Sequence, residues 1–231
     1  MADRDVYKQQ AGEAAVELVQ SGMILGLGHG STAKYAIDAV ANKINKGDLN
    51  DVVAIPCSKQ TEADMKRLGI PVGDLNSFPR IDITIDGADE VDPDLNVIKG
   101  GGGAVLREKI VAQVSKRYVI IVDDEKLSPS LGTKFFIPLE ILPFGWERQL
   151  DYITSIGGVP TLRKGSKGLP VLSDQGNYLL DCKFGPISDL EKLAKQLEGR
   201  SGILEHGLFL NLATDVIAAG PGGIQYQTAK R

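Results

Sequence analysis

The chain has 231 residues, 42% apolar and 24% charged, which suits a globular protein of one large or two modest domains. Its 26 basic and 30 acidic residues leave a net charge of −4, which argues against a general nucleic-acid binder and leaves room for a local basic pocket. No apolar run approaches the ~20 residues that span a bilayer, and the polar start Met1-Ala2-Asp3-Arg4-Asp5 leads into no signal core, so a cytoplasmic protein without a membrane partner is expected.

In chain order, Ala11, Ala14, Ala15, Leu18 and Val19 form one apolar helical stripe, stopped by Ser21-Gly22. Residues 23–27 read as a buried strand running into a glycine-rich turn. Ala33, Ala36, Ile37, Val40 and Ile44 mark the inner face of the next helix. A strand at 52–55, a helix at 61–68 and strands at 81–85 and 95–98 follow, then a helix at 104–115 and a strand at 118–122. Strands alternating with helices predict a mostly parallel, Rossmann-like α/β sheet with helices on both faces. After Asp123 the order becomes β-α-β-β-α-β: strands at 139–142, 159–163, 178–183 and 203–206, helices at 145–156 and 188–197. That is the order of a small ferredoxin-like α+β domain. Ser188 and Glu191 have the spacing of a capping box. The apolar run 216–219 is expected to return to the first sheet. The predicted division is 1–131 with 207–231 as the catalytic domain and 132–206 as the insertion. Cys57 and Cys182 fit no metal or redox spacing and read as reduced thiols, and two unrelated histidines, His29 and His206, offer no zinc site.

Three loops carry possible chemistry. Gly26-x-Gly28-x-Gly30-Ser31-Thr32 joins a strand to a helix, where free N–H groups attract anions and two hydroxyls stand ready. A plain tight turn explains it too, but a dinucleotide fingerprint and a Walker loop both fit poorly, which leaves a phosphate monoester as the best ligand. His29 in this loop, whose imidazole can carry a proton, is expected to tune anion binding. Asp86-Gly87-Ala88-Asp89-Glu90 ends a strand where ligands of open α/β sheets bind, and its carboxylates suit sugar hydroxyls, proton relay or Mg²⁺. Four glycines, Gly100 to Gly103, form a candidate nest of oxyanion donors with Lys99 at its edge. Glu108 lies about one turn into the next helix, either as a base or as an exposed partner of lysine. A phosphate cradle, a carboxylate base and an oxyanion nest together suit proton abstraction beside the carbonyl of a sugar phosphate.

The segments G-L-G-x-G-S-T-A, D-G-A-D-E and K-G-G-G-G-A-x-L-R-E-K-I, in this order, resemble the type A ribose-5-phosphate isomerases, and the likeness runs on through Gly132-Thr133-Lys134-Phe135 to Ala213-x-Asp215-Val216. The resemblance implies interconversion of ribose 5-phosphate and ribulose 5-phosphate in the pentose phosphate pathway, no metal or organic cofactor, and a homodimer or homotetramer. It implies Glu108 as the base, with Asp86, Asp89 and Lys99 assisting ring opening and polarising oxygens. Gly100, Gly101 and Gly102 would donate backbone N–H groups, and Gly87 and Ala88 would line the site. Gly30, Ser31 and Thr32 match the substrate-binding loop, joined by Lys134 and by Lys8 from the first helix. His29 stands where the family usually has threonine or serine. A sugar-phosphate-sensing domain without catalysis and a metal-dependent enzyme using Asp86 and Asp89 are the alternatives.

Overall fold

The computed structural model describes residues 2–229. Among them the chain forms two compact units: the first runs to Ala88, resumes over Arg107–Leu127 and again from Asn211, and the second holds Asp89–Leu106 and Ser128–Leu210.

The first unit contains α1 (Ala2–Val16), β1 (Ile24–Leu27), α2 (Ser31–Lys46), β2 (Val53–Pro56), α3 (Lys59–Leu68) and β3 (Ile81–Gly87). Short strands β4 (Glu90–Val91) and β5 (Val97–Ile98) belong to the second unit, after which α4 (Val105–Gln113) leads back to β6 (Ser115–Asp123) and a 3₁₀ turn, Asp124–Lys126. The second unit continues with β7 (Ile137–Ile141), α5 (Glu147–Ser155), β8 (Val159–Leu162), β9 (Tyr178–Lys183), α6 (Leu190–Glu198), β10 (Ile203–His206) and β11 (Leu208–Phe209). The hairpin β12 (Asp215–Gly220) and β13 (Gly223–Thr228) closes the first unit.

The first sheet has the order β13-β12-β6-β3-β1-β2, parallel except for the terminal β13. The expected return of 216–219 is therefore β12, which pairs with β6 and is tied to it by the bidentate Arg117–Asp215 ion pair at 2.8 and 2.9 Å. Leu25, Leu27, Ile83, Ile85, Val119, Ile121 and Ile217 alternate onto one face and pack with Ala11 and Ala15 of α1, Ile37 and Val40 of α2 and Met65 of α3. The stripe on α1 is real, but the helix stops at Val16, and Leu18 and Val19 join the core from the turn beyond it. By the same alternation Gly26, Thr84, Asp86 and Tyr118 point to the opposite face. There, Val111 of α4 meets Ile55 and Cys57.

In the second unit the larger sheet has the order β10-β7-β9-β8, antiparallel throughout, which is the ferredoxin-like arrangement. Ile137, Leu139, Ile141, Leu180 and Cys182 pack against Ile153 of α5 and Leu193 and Leu197 of α6. The cap of α6 is Asp189 rather than Ser188: its carboxylate accepts the Lys192 N–H at 2.9 Å, the bond a capping serine would make. A small sheet β11-β5-β4 ties 89–106 to the second unit, so this unit takes in more than the expected insertion 132–206. Both cysteines are buried as thiols, and burial pushes the Cys182 thiol far above its ordinary range. Among the described residues no helix is long and apolar enough to cross a membrane.

Candidate active site

The glycines after β1 serve the neighbouring strand before any ligand. A Cβ on Gly26 would fall 2.0 Å from the Thr84 hydroxyl, and one on Gly28 would fall 1.9 Å from Asp86 Oδ1. Only a residue without a side chain lets the Asp86 carboxylate lie across the end of β1. Gly30 has a different task. Its φ of 106° turns the chain into α2, with Gly30 as the cap and Ser31 as the first helical residue. Helical bonding begins with Lys34 N–H to Gly30 C=O at 3.1 Å, and no acidic residue occupies the first turn. Ser31, Thr32 and Ala33 therefore present their N–H groups at the positive end of the helix dipole.

Asp86 is completely buried near the carboxyl end of β3. Its Oδ1 accepts the backbone N–H of His29 at 3.1 Å and of Gly87 at 2.8 Å, and its Oδ2 accepts the phenol of Tyr118 at 3.3 Å. A Cβ on Gly87 would lie 3.8 Å from Thr32 Cβ and 4.0 Å from the His29 carbonyl, so the acidic turn and the glycine loop meet in this unit. Burial, then the negative charge of Asp86 and of Glu108, raises the Tyr118 pKa well above the usual tyrosine value. Glu108, in the first turn of α4, is only 3% exposed. This decides against an exposed helix glutamate.

The His29 ring contacts α3. Thr61 donates its hydroxyl to the Gly28 carbonyl at 2.8 Å, Ser58 donates to Thr61 Oγ1 at 2.9 Å, and His29 Nδ1 lies 3.0 Å from Ser58 Oγ. Each hydroxyl has one proton, so His29 Nδ1 is the donor to Ser58. Ser58 also caps α3 by accepting the Thr61 N–H at 2.9 Å. The histidine is thus anchored through its Nδ1 side. Lys8, on α1, has its ammonium 3.4 Å from Asp5.

In the second unit Asp89 Oδ2 accepts the Gly101 N–H at 2.8 Å. A Cβ on Gly101 would sit 2.7 Å from that carboxylate, which is why the run tolerates no side chain there. Gly100 (φ 98°) and Gly103 (φ 92°) are left-handed, and Gly103 N–H closes the turn on Gly100 C=O at 2.9 Å. One donor of the expected nest is thus engaged within the protein: the Gly101 N–H orients Asp89, and Gly101 C=O accepts Arg163 Nη1 at 2.9 Å. Gly102 lies exposed at the tip of the run. Lys99 is 2% exposed, with its ammonium 5.7 Å from the centroid of Phe209. The last residue of the acidic motif is a clamp. Buried Glu90 accepts the N–H groups of Gly132, Lys134 and Phe135 at 2.9, 3.0 and 3.1 Å. Lys134 is held here by its backbone, and its side chain is exposed.

The family model for ribose 5-phosphate isomerase A (phosphoriboisomerase A) matches residues 53–223. The chain belongs to the ribose 5-phosphate isomerase A family. Ribose-5-phosphate isomerase A of Chloroflexus aurantiacus is 53% identical over 224 residues, 97% of this chain and 94% of its own. That of Desulfatibacillum aliphaticivorans is 48% identical, covering 99% of this chain and 100% of its own. The solved ribose 5-phosphate isomerase of Plasmodium falciparum superposes with a TM-score of 0.95 at 38% identity over 98% of this chain and 100% of that one. A solved D-ribose-5-phosphate isomerase in complex with phospho-erythronic acid gives a TM-score of 0.95 at 33% identity, over 97% and 99%.

Three residues of this family member escaped the sequence reading. Tyr118 lies inside an apolar run, where nothing marks its phenol as the partner of Asp86. Asp123 ends β6, with a buried Oδ1 that meets no hydrogen-bond partner among the described residues. Lys126, half-buried, closes the 3₁₀ turn beyond it. For the last two a signal existed: Asp123-Asp124-Glu125-Lys126 directly follows a parallel strand, at the sheet edge where ligands bind.

Proposed function

We propose that the protein interconverts D-ribose 5-phosphate and D-ribulose 5-phosphate by moving one proton between carbons 1 and 2 through an enediolate. Membership of the isomerase A family over nearly the whole chain carries this reading. In it, the N–H groups and hydroxyls of Ser31 and Thr32 take the phosphate, with Gly30 shaping the loop. Lys126 serves as the cation of the phosphate site, a role its place at the carboxyl edge of the first sheet supports better than that of exposed Lys134. Glu108 removes the proton from carbon 2 of the open-chain aldose and returns it to carbon 1. Asp86 and Asp89 handle the hydroxyl protons, first in ring opening and then in the transfer from O2 to O1 that completes the isomerisation, and Lys99 stabilises the negative oxygen of the enediolate. Phospho-erythronic acid, the ligand in one solved relative, joins a phosphate to a planar carboxylate with two oxygens, the shape and charge of an enediolate. The sensing alternative finds no support among whole-length relatives that are isomerases.

The reading extends to the pentose phosphate pathway in a reducing cytoplasm, which two buried thiols suit, and to a homodimer or homotetramer, to be read from light scattering on a sizing column. The direct test is ribulose 5-phosphate formation from ribose 5-phosphate by purified protein after exhaustive chelation. Full activity is expected. Activity lost on chelation and restored by Mg²⁺ would replace the reading with the metal-dependent one, and no isomerisation at all would end it.

His29→Thr is expected to keep turnover within about twofold and to raise the Michaelis constant a few-fold. It removes the anchor on Ser58 but leaves the backbone N–H that binds Asp86, and a neutral hydrogen bond contributes about 0.5–1.5 kcal/mol. Steady-state kinetics decide this, and a hundredfold fall in turnover would make His29 part of the chemistry.

A further inference from the structure

We infer that Tyr118 is a positioning residue for the isomerisation, its phenol fixing the plane of the Asp86 carboxylate from the neighbouring strand. The inference rests on the role proposed above for Asp86. Tyr118 pairs with Thr84 across β6 and β3, so Asp86, two residues further along β3, is its diagonal neighbour on the same face. This is the reach of an aromatic side chain, and the phenol ends 3.3 Å from Asp86 Oδ2.

Tyr118 heads the largest fully buried side chains among the described residues. Phenylalanine would fill the same space without taking a hydroxyl out of water, so the hydroxyl needs a purpose beyond packing. Two backbone N–H groups hold Asp86 at Oδ1. The phenol adds a third point at Oδ2 from the neighbouring strand, so both oxygens of the carboxylate are held. Burial and the neighbouring Asp86 and Glu108 oppose its ionisation, so the phenol is kept as a donor. A bond of 3.3 Å is longer than most O–H···O⁻ bonds, and such contacts tighten when substrate binds. Its loss is therefore expected to slow the reaction without abolishing it.

The test is Tyr118→Phe, alone and in an Asp86→Asn background, with kcat and KM for ribose 5-phosphate, affinity for phospho-erythronic acid, and the thermal midpoint. The single variant should lose about tenfold in kcat, the scale of a hydrogen bond to a charged group. KM and inhibitor affinity should stay within about twofold, which also reports an intact fold. In the Asp86→Asn background the same change should move kcat by less than twofold, since residues acting through one contact are not additive. Wild-type kcat in Tyr118→Phe, or an equal loss in both backgrounds, would overturn the inference while leaving the proposed function standing. Wild-type kcat in Asp86→Asn would remove the role given to Asp86 and the inference with it.

Discussion

Glu108→Gln is expected to lower kcat by about four orders of magnitude while leaving the affinity for a phosphorylated sugar acid nearly unchanged. A positioned general base is worth ~10²–10⁴ in rate, and here one carboxylate is base in the first half-reaction and acid in the second, so the upper end applies. The amide keeps the shape and the hydrogen-bonding reach of the side chain but accepts no proton. Its 3% exposure and its place in the first turn of α4 hold the group still. The phosphate loop begins a different helix, α2, so binding survives the change. Substrate incubated in deuterated water reports the step itself, as label at carbon 1 of ribulose 5-phosphate or carbon 2 of ribose 5-phosphate. A folded Glu108→Gln protein that exchanges at near the wild-type rate would move the base to Asp86 or Asp89.

Lys99→Met comes next in size, with kcat expected to fall ~10²–10³-fold, the usual consequence of removing one group that stabilises a developing oxyanion. An ammonium 2% exposed beside the Phe209 ring is costly to desolvate, and methionine keeps the aliphatic stem without that cost. Charge on the substrate oxygen is larger in the transition state than in the ground state, so KM should change much less than kcat. Unchanged kcat with a large rise in KM would reassign Lys99 to the phosphate.

Much of this was local and hence legible. The 3.6- and 2-residue periodicities place the helices and strands, and the ferredoxin-like β-α-β-β-α-β order needs only the sequence of elements, which the sheet order β10-β7-β9-β8 then realises. The three glycine and acid segments stand out because short motifs carry their chemistry within a few residues, and the likeness to the type A isomerases rests on them. What escaped is decided by register between strands distant in sequence. Gly26 and Gly28 read as room for a ligand, but β1 lies beside β3, and the room is taken by Thr84 and Asp86. The D-G-A-D-E run reads as one acidic turn. Folding divides it, Asp86 to the His29 backbone and Tyr118, Asp89 to the glycine run, and Glu90 to the N–H groups of a loop 42 to 45 residues away. Gly101 likewise turns from a free donor into the support of a carboxylate. The sequence by itself determined which residue types are present and which segments are helix, strand or turn, because those follow from local sterics and hydrophobic spacing. Only the tertiary structure decided which carboxylate receives which donor, because a hydrogen bond across strands depends on a pairing register that no single segment contains.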